Sequence, residues 1–261
     1  MNSLIATLNR TKTNDLDILG DSLVAQLTTA DLASFDQLWD LPHEFVEPPN
    51  IRRNGWSGVS IVRLQQRDGE FRSYFLKRQE NQTRYSLRYL SGAPTFQFEA
   101  DALQLAMQER WPCVELGAFG ARTHPSKGAS QAILLTPKVE WPCFESCAQS
   151  VNNWNDYLPQ LRLVGEQLLS MHQSGWQHGA LFPTHLFIEM SSGKICLIDM
   201  ERARKRFSPL RAAVSDFTQF FKRCDCLPDE AITALLAAHT ELMPQLIVKL
   251  NRRFPGRINL K

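Results

Sequence analysis

The sequence predicts an α+β chain of two lobes: an antiparallel β-sheet small lobe carrying one helix, followed by a mainly α-helical large lobe. Three observations carry that expectation. Strand-like alternating segments crowd the stretch from Gly55 to Leu135, and one helical segment opened by Pro94 and Thr95 interrupts them. Beyond Pro137 apolar residues recur at helical spacing instead. A sheet-rich half followed by a helix-rich half packs as segregated layers around a core. At 261 residues the chain is long enough for such a two-lobed domain. Residues 1–50 read as an N-terminal extension, 51–137 as the small lobe and 138–261 as the helical lobe.

Taken in order, Thr29 is expected to cap a short helix carrying Leu32, Phe35 and Trp39, after which Pro42, Pro48 and Pro49 break regular structure. Residues 59–64 and 71–76 flank Arg67-Asp68-Gly69-Glu70, a turn signal for an antiparallel hairpin. In the helix after Pro94, Phe98, Ala102, Leu105 and Ala106 share one face. Residues 114–119 and 131–135 read as two further strands, joined by a loop over 123–128. Leu161, Val164, Leu168 and Met171 then form an apolar helical stripe that Gly175 stops. Residues 187–190 and 194–198 make a short hairpin around Ser191-Ser192-Gly193, and from Asp216 to Leu246 the chain is helical, with a basic tail at Arg252 and Arg253.

Charge excludes little. Lysine and arginine number 29 against 27 acidic residues, so no overall field draws the chain to nucleic acid. Two local clusters, Lys77, Arg78, Arg84 and Arg88, and Arg202, Arg204, Lys205 and Arg206, read as solvated faces, with an anionic partner as the second reading. The six cysteines, at 113, 143, 147, 196, 224 and 226, show no zinc-like spacing with histidine, which suits reduced thiols in a cytoplasm. The first ten residues lack the apolar run of a signal peptide, and no window approaches the ~20 apolar residues that cross a bilayer. A soluble, intracellular protein is expected, at most peripheral to a membrane.

The chemistry concentrates in Gly175-Trp-Gln-His178-Gly-Ala180-Leu-Phe-Pro-Thr-His185-Leu-Phe-Ile and in Ile195-Cys-Leu-Ile-Asp199. With Trp56-Ser-Gly58, Leu76-Lys77-Arg78-Gln-Glu and Pro94-Thr-Phe-Gln-Phe-Glu99 ahead of them, these segments resemble the lipopolysaccharide kinase family (the Kdo and heptose kinases, WaaP-like), in its InaA-type branch, over roughly residues 50–225. The resemblance implies a bilobal protein-kinase-like fold that uses ATP with Mg²⁺ or Mn²⁺.

Under that resemblance Lys77, at the end of a strand, takes the α- and β-phosphates, and Glu99 on the next helix holds it by an ion pair. Gly55 and Gly58 fall where a phosphate-covering loop belongs, since glycine lets backbone N–H groups approach an anion. Val139 lies in the segment joining the lobes, which would receive adenine. His178 is a packed anchor of the catalytic loop and His185 replaces the metal-binding asparagine. Asp199 matches the aspartate that binds Mg²⁺, and Asp216 the helix aspartate that braces the loop. Lys77, His178 and Asp199 make the candidate catalytic set, Asp199 and His185 the metal set. The ammonium, imidazole and carboxylate are expected to meet in one cleft.

Ala180 stands where a kinase keeps its catalytic aspartate, and a methyl group accepts no proton. Losing a general base costs roughly 10²–10⁴-fold, while positioning and charge neutralisation survive. Glu201 and Glu189 are the carboxylates that remain as substitutes. Three functions stay open: a phosphotransferase acting on an anionic sugar of the lipopolysaccharide core at the inner face of the inner membrane, a pseudokinase whose output is nucleotide or protein binding in envelope or stress regulation, or, as the lesser reading, a phosphotransferase for a small soluble substrate such as an aminoglycoside-like molecule.

Overall fold

The computed structural model describes residues 10–13, 15–52, 55–123, 128–256 and 258. By density of internal packing the chain divides into two units, Met1–Gln104 with Glu115–Lys138, and Leu105–Val114 with Val139–Lys261.

The first unit is built from β1 (Arg10–Thr13), β2 (Leu16–Leu19), α1 (Asp21–Thr29), α2 (Phe35–Trp39), β3 (Asn50–Arg52), β4 (Gly55–Gln65) and β5 (Phe71–Glu80). The short pair β6 (Thr83–Arg84) and β7 (Ala93–Pro94) leads into α3 (Thr95–Glu109), then β8 (Ala118–Thr123) and β9 (Ser130–Pro137). Seven strands form one sheet in the order β1-β2-β8-β9-β5-β4-β3, every pairing antiparallel. The expected hairpin is there: Gln65 pairs with Phe71, and the turn closes through Gln66 N–H to Glu70 O at 2.7 Å and Gly69 N–H to Gln66 O at 3.0 Å. Gly69 sits at φ 89°, a conformation that costs glycine nothing.

Strand parity decides what each face does. Tyr74 and Leu76 of β5 point into a core with Leu16, Ile18, Leu27, Phe35, Leu38, Leu64, Ile133 and Leu135. Lys77 and Gln79 point to the opposite face, where α3 lies. The N-terminal residues are part of this architecture. β2 pairs with β8, while α1 and α2 supply Leu23, Leu27, Phe35 and Leu38 to the core, and Phe45 bridges to Ser60.

The second unit contains α4 (Phe144–Ser150), α5 (Leu158–Gln173), β10 (Trp176–Gln177), β11 (Leu186–Glu189), β12 (Lys194–Leu197), β13 (Arg204–Lys205), α6 (Pro209–Phe221), α7 (Asp229–Leu242) and α8 (Gln245–Arg253). The α5 stripe, Leu161, Val164, Leu168 and Met171, is fully buried, and α5 packs along α7 while α6 packs on α8. Gly165 sets the α5–α7 approach, since a Cβ there would lie 2.1 Å from Leu235 O. β11 and β12 form the expected hairpin, Leu186 opposite Leu197 and Glu189 opposite Lys194. Gly175 ends α5 at φ 80°.

Two local expectations need correction. Thr29 ends α1, and the following helix α2 is capped by Ser34, whose Oγ accepts from Gln37 N–H at 3.3 Å. Residues 114–117 are not strand: Val114 N–H instead bonds Leu197 O at 2.8 Å and pairing begins at Ala118. The reading of residues 1–9 and the middle of the 123–128 loop fall outside the described residues. Among the described residues no helix is long and apolar enough to cross a membrane.

Candidate active site

Lys77 reaches from β5 to α3, its Nζ 2.7 Å from Glu99 Oε1 and 2.9 Å from Oε2. Glu99 is only 1% exposed. A carboxylate so deeply buried needs a strong counter-ion, and the lysine supplies it. The Lys77 side chain keeps 18% of its surface exposed while its ammonium is held by Glu99. Gln79, two residues on and of the same parity, fixes the start of α3. Its Oε1 accepts from Thr95 Oγ1 at 2.7 Å and from Phe96 N–H at 3.0 Å, satisfying a donor that the first helical turn leaves orphaned. Glu99 follows one turn later, so Gln79 positions the acid that positions the lysine. The sequence did not single out Gln79, because a glutamine on a strand carries no capping signature.

Arg78 does not join Lys77 on a solvated face. Its parity turns it inward, where it is fully buried and donates to Trp39 O at 3.0 Å, Leu41 O at 2.5 Å, Pro42 O at 2.9 Å and Ser60 Oγ at 2.9 Å. It pins the segment after α2 to the sheet. Arg88 bonds Asp101 at 3.0 Å and Arg84 lies over the Phe98 ring at 3.7 Å. The expected basic cluster around Lys77 is therefore a set of separately engaged residues and not a patch.

Gly55 and Gly58 lie within β4 itself, not in a loop before a strand. A Cβ on Gly55 would sit 2.4 Å from Glu80 O, and one on Gly58 would enter the Phe45 ring at 2.5 Å, so close packing requires both glycines. Val139 is half-buried and begins the second unit, directly after Lys138, whose N–H bonds Ser73 O at 2.9 Å.

In the second unit the loop after β10 is organised by Asp216 of α6, which is fully buried. Its Oδ2 accepts from His178 N–H at 2.6 Å and its Oδ1 from Gly179 N–H at 2.8 Å. Oδ2 also meets His172 Nε2 at 3.1 Å, and His172 Nδ1 lies 2.8 Å from His239 Nε2. Gly179 adopts φ 81°, and a Cβ there would lie 2.4 Å from Arg202 O, so glycine is required by both conformation and space.

His178 is buried with both ring nitrogens engaged. Nε2–H donates to Ile198 O at 2.9 Å, which leaves Nδ1 to accept from Ala180 N–H at 3.2 Å. Burial holds this imidazole below its ordinary pKa, with the Asp216 carboxylate pulling the other way. His178 is a positioning residue that ties the loop to the end of β12. Ala180 is buried, and its carbonyl accepts from Phe182 N–H at 2.8 Å and from His185 Nδ1–H at 3.0 Å.

That last bond settles the His185 tautomer: with the proton on Nδ1, Nε2 carries the free lone pair, the arrangement by which metal-ligating histidines are oriented. Asp199 follows β12 in the left-handed region, φ 61° and ψ 59°, which aspartate tolerates better than most residues. Its Oδ2 is 3.7 Å from His185 Nδ1, and its side chain is 35% exposed. Among the described residues no group of three or more His, Cys, Asp or Glu side chains gathers as a metal site. Asp199 offers the hard carboxylate oxygen that Mg²⁺ takes at nucleotide sites beside phosphate oxygens and water, while the His185 atom near it is Nδ1, already engaged with Ala180 O.

Lys77 and Glu99 thus stand together in the first unit, and His178, Ala180, His185, Asp199 and Asp216 in the second. Sequence reasoning missed the His172–His239 extension of the Asp216 network; histidines on two helices 67 residues apart give no local signal.

A model of the family described as "Lipopolysaccharide kinase (Kdo/WaaP) family" matches residues 36–239. "Protein InaA" of Escherichia coli (strain K12) is 28% identical over 202 residues, covering 74% of this chain and 89% of that protein. The solved structure of WaaP in complex with acyl carrier protein superimposes with a TM-score of 0.54 at 16% identity, over 84% of this chain and 94% of that one. The fold is accordingly that of this kinase, the α+β protein-kinase-like arrangement expected from the sequence.

Proposed function

The chain belongs to the lipopolysaccharide kinase (Kdo/WaaP) family, and from that premise we propose that it is an ATP- and divalent-metal-dependent phosphotransferase acting on a hydroxyl of an anionic core sugar. The observation that carries the proposal is the Lys77–Glu99 pair, 2.7 and 2.9 Å, in which a buried carboxylate fixes the ammonium of a partly exposed lysine. An ammonium held in fixed geometry is useful against a polyphosphate, where preorganised charge supplies much of the rate.

In this reading Lys77 takes the α- and β-phosphates, Asp199 and His185 Nε2 hold the cation, and Val139 receives the adenine edge through its backbone. A divalent cation, when bound, neutralises charge on the β- and γ-phosphates. Gly55 and Gly58 serve the covering hairpin by allowing β4 to pack tightly. Exposed Arg202, Arg204 and Lys205, a few residues beyond Asp199, suit an anionic acceptor. A cytoplasmic location, in contact with the inner face of a membrane that carries the acceptor, agrees with reduced cysteines.

Buried Ala180 favours a second reading, in which the chain binds nucleotide without turning it over and acts through a protein partner. Radiolabelled ATP turnover with a Kdo- or heptose-containing core glycolipid separates the two. Phosphotransferase action predicts labelled glycolipid from the wild type and a rise of roughly 10²–10⁴-fold in kcat for Ala180→Asp. Absence of product from both proteins would refute catalysis.

A further inference from the structure

Cys224 and Cys226 sit in the non-helical link between α6 and α7, flanking Asp225. Their sulfurs are 3.7 Å apart, although one residue is buried and the other exposed. The preceding residue, Arg223, places its guanidinium 3.8 Å over the Phe182 ring, and that ring lies 4.9 Å from the His185 ring. A dithiol thus stands one residue from a cation that covers the loop bearing His185.

We propose that Cys224 and Cys226 form a reversible disulfide whose closure shifts Arg223 on Phe182 and so loosens the 178–185 loop. An S–S bond of about 2.05 Å requires the sulfurs to approach by about 1.7 Å. The link lies between the end of α6 at Phe221 and the start of α7 at Asp229, so it takes up the movement, and Arg223 moves with the cysteine bonded next to it. The oxidant is hydrogen peroxide. Exposed Cys226 attacks as thiolate, cleaving the O–O bond to give a sulfenic acid and a hydroxide, which takes up the proton that the thiol released and becomes water. Cys224 then attacks that sulfur, the S–S bond forms, the S–O bond breaks, and hydroxide leaves with the Cys224 proton as a second water. Both sulfurs are oxidised, the peroxide is reduced to two waters, and a dithiol restores the starting state. The disulfide stands on its own geometry; only its effect on metal and nucleotide rests on the function proposed above.

The test treats the full chain with hydrogen peroxide and follows two readouts, peptide mass and amide hydrogen exchange. The expected result is loss of two hydrogens on the peptide carrying both cysteines, reversed by dithiothreitol and absent from Cys226→Ser. Exchange across residues 178–186 should rise about threefold in the oxidised wild type. Arg223→Ala should reproduce that rise without oxidant. A mixed or higher oxidation of Cys226 without the internal bond would overturn the proposal, as would a disulfide that leaves exchange of the loop unchanged. Neither readout requires nucleotide, so failure of ATP to bind would count against the proposed function alone.

Discussion

Asp216 accepts two backbone N–H bonds and meets one imidazole, all in a buried setting, at 2.6, 2.8 and 3.1 Å. Removing such a carboxylate strands several buried groups together, so Asp216→Ala should lower unfolding stability by about 3–5 kcal/mol in urea titration. A loss below about 1 kcal/mol would show that the loop is held by other means. The same residue illustrates what the sequence made legible. The place of Asp216 beneath the loop and the approach of His185 to Asp199 were readable because short motifs surround these residues. Gln79 and the inward turn of Arg78 were not, since both depend on which face of β5 meets α3, and parity is fixed only once the sheet pairs.

At the level of elements, the hairpins β4–β5 and β11–β12 and the helices α3 and α5 were legible because turn residues and periodicity are local signals. The role of residues 16–45 was not. β2 pairs with β8, Ile18 opposite Ala118, a contact across 100 positions that no window of sequence contains. Helix pairing has its own control point. A methyl at Gly165 would meet Leu235 O at 2.1 Å, closer than any side chain can tolerate, and backbone cannot rotate away as a side chain would. Gly165→Ala should therefore force α5 and α7 apart and cost about 1–3 kcal/mol, despite the better helix propensity of alanine. A Tm equal to or above wild type would contradict this packing.

For the molecule as a whole, acid sensitivity follows from its buried imidazoles. Burial, with His172 adding to it, pushes His239 down to about 2 from an ordinary 6.5, and His178 is lowered in the same direction. Between those limits the unfolded chain binds protons that the folded chain refuses. Stability is thus fully present above pH 6.5 and falls as pH drops, by up to about 1.4 kcal/mol per pH unit for each such group. Urea midpoints should decline from pH 7 to 5, and His239→Gln, with no proton to take up, should show a shallower decline than wild type. Parallel profiles would mean that His239 is not a source of the acid limb.

The decisive measurement is a calorimetric titration of ATP with Mg²⁺ or Mn²⁺ into the full chain, its Lys77→Ala and Asp199→Ala variants, and Ala180→Asp. Saturable binding by the wild type and by Ala180→Asp, lost or weakened at least tenfold in the other two, is the predicted outcome. Equal binding by all four proteins, or none by the wild type, would contradict the nucleotide-binding roles proposed for Lys77 and Asp199.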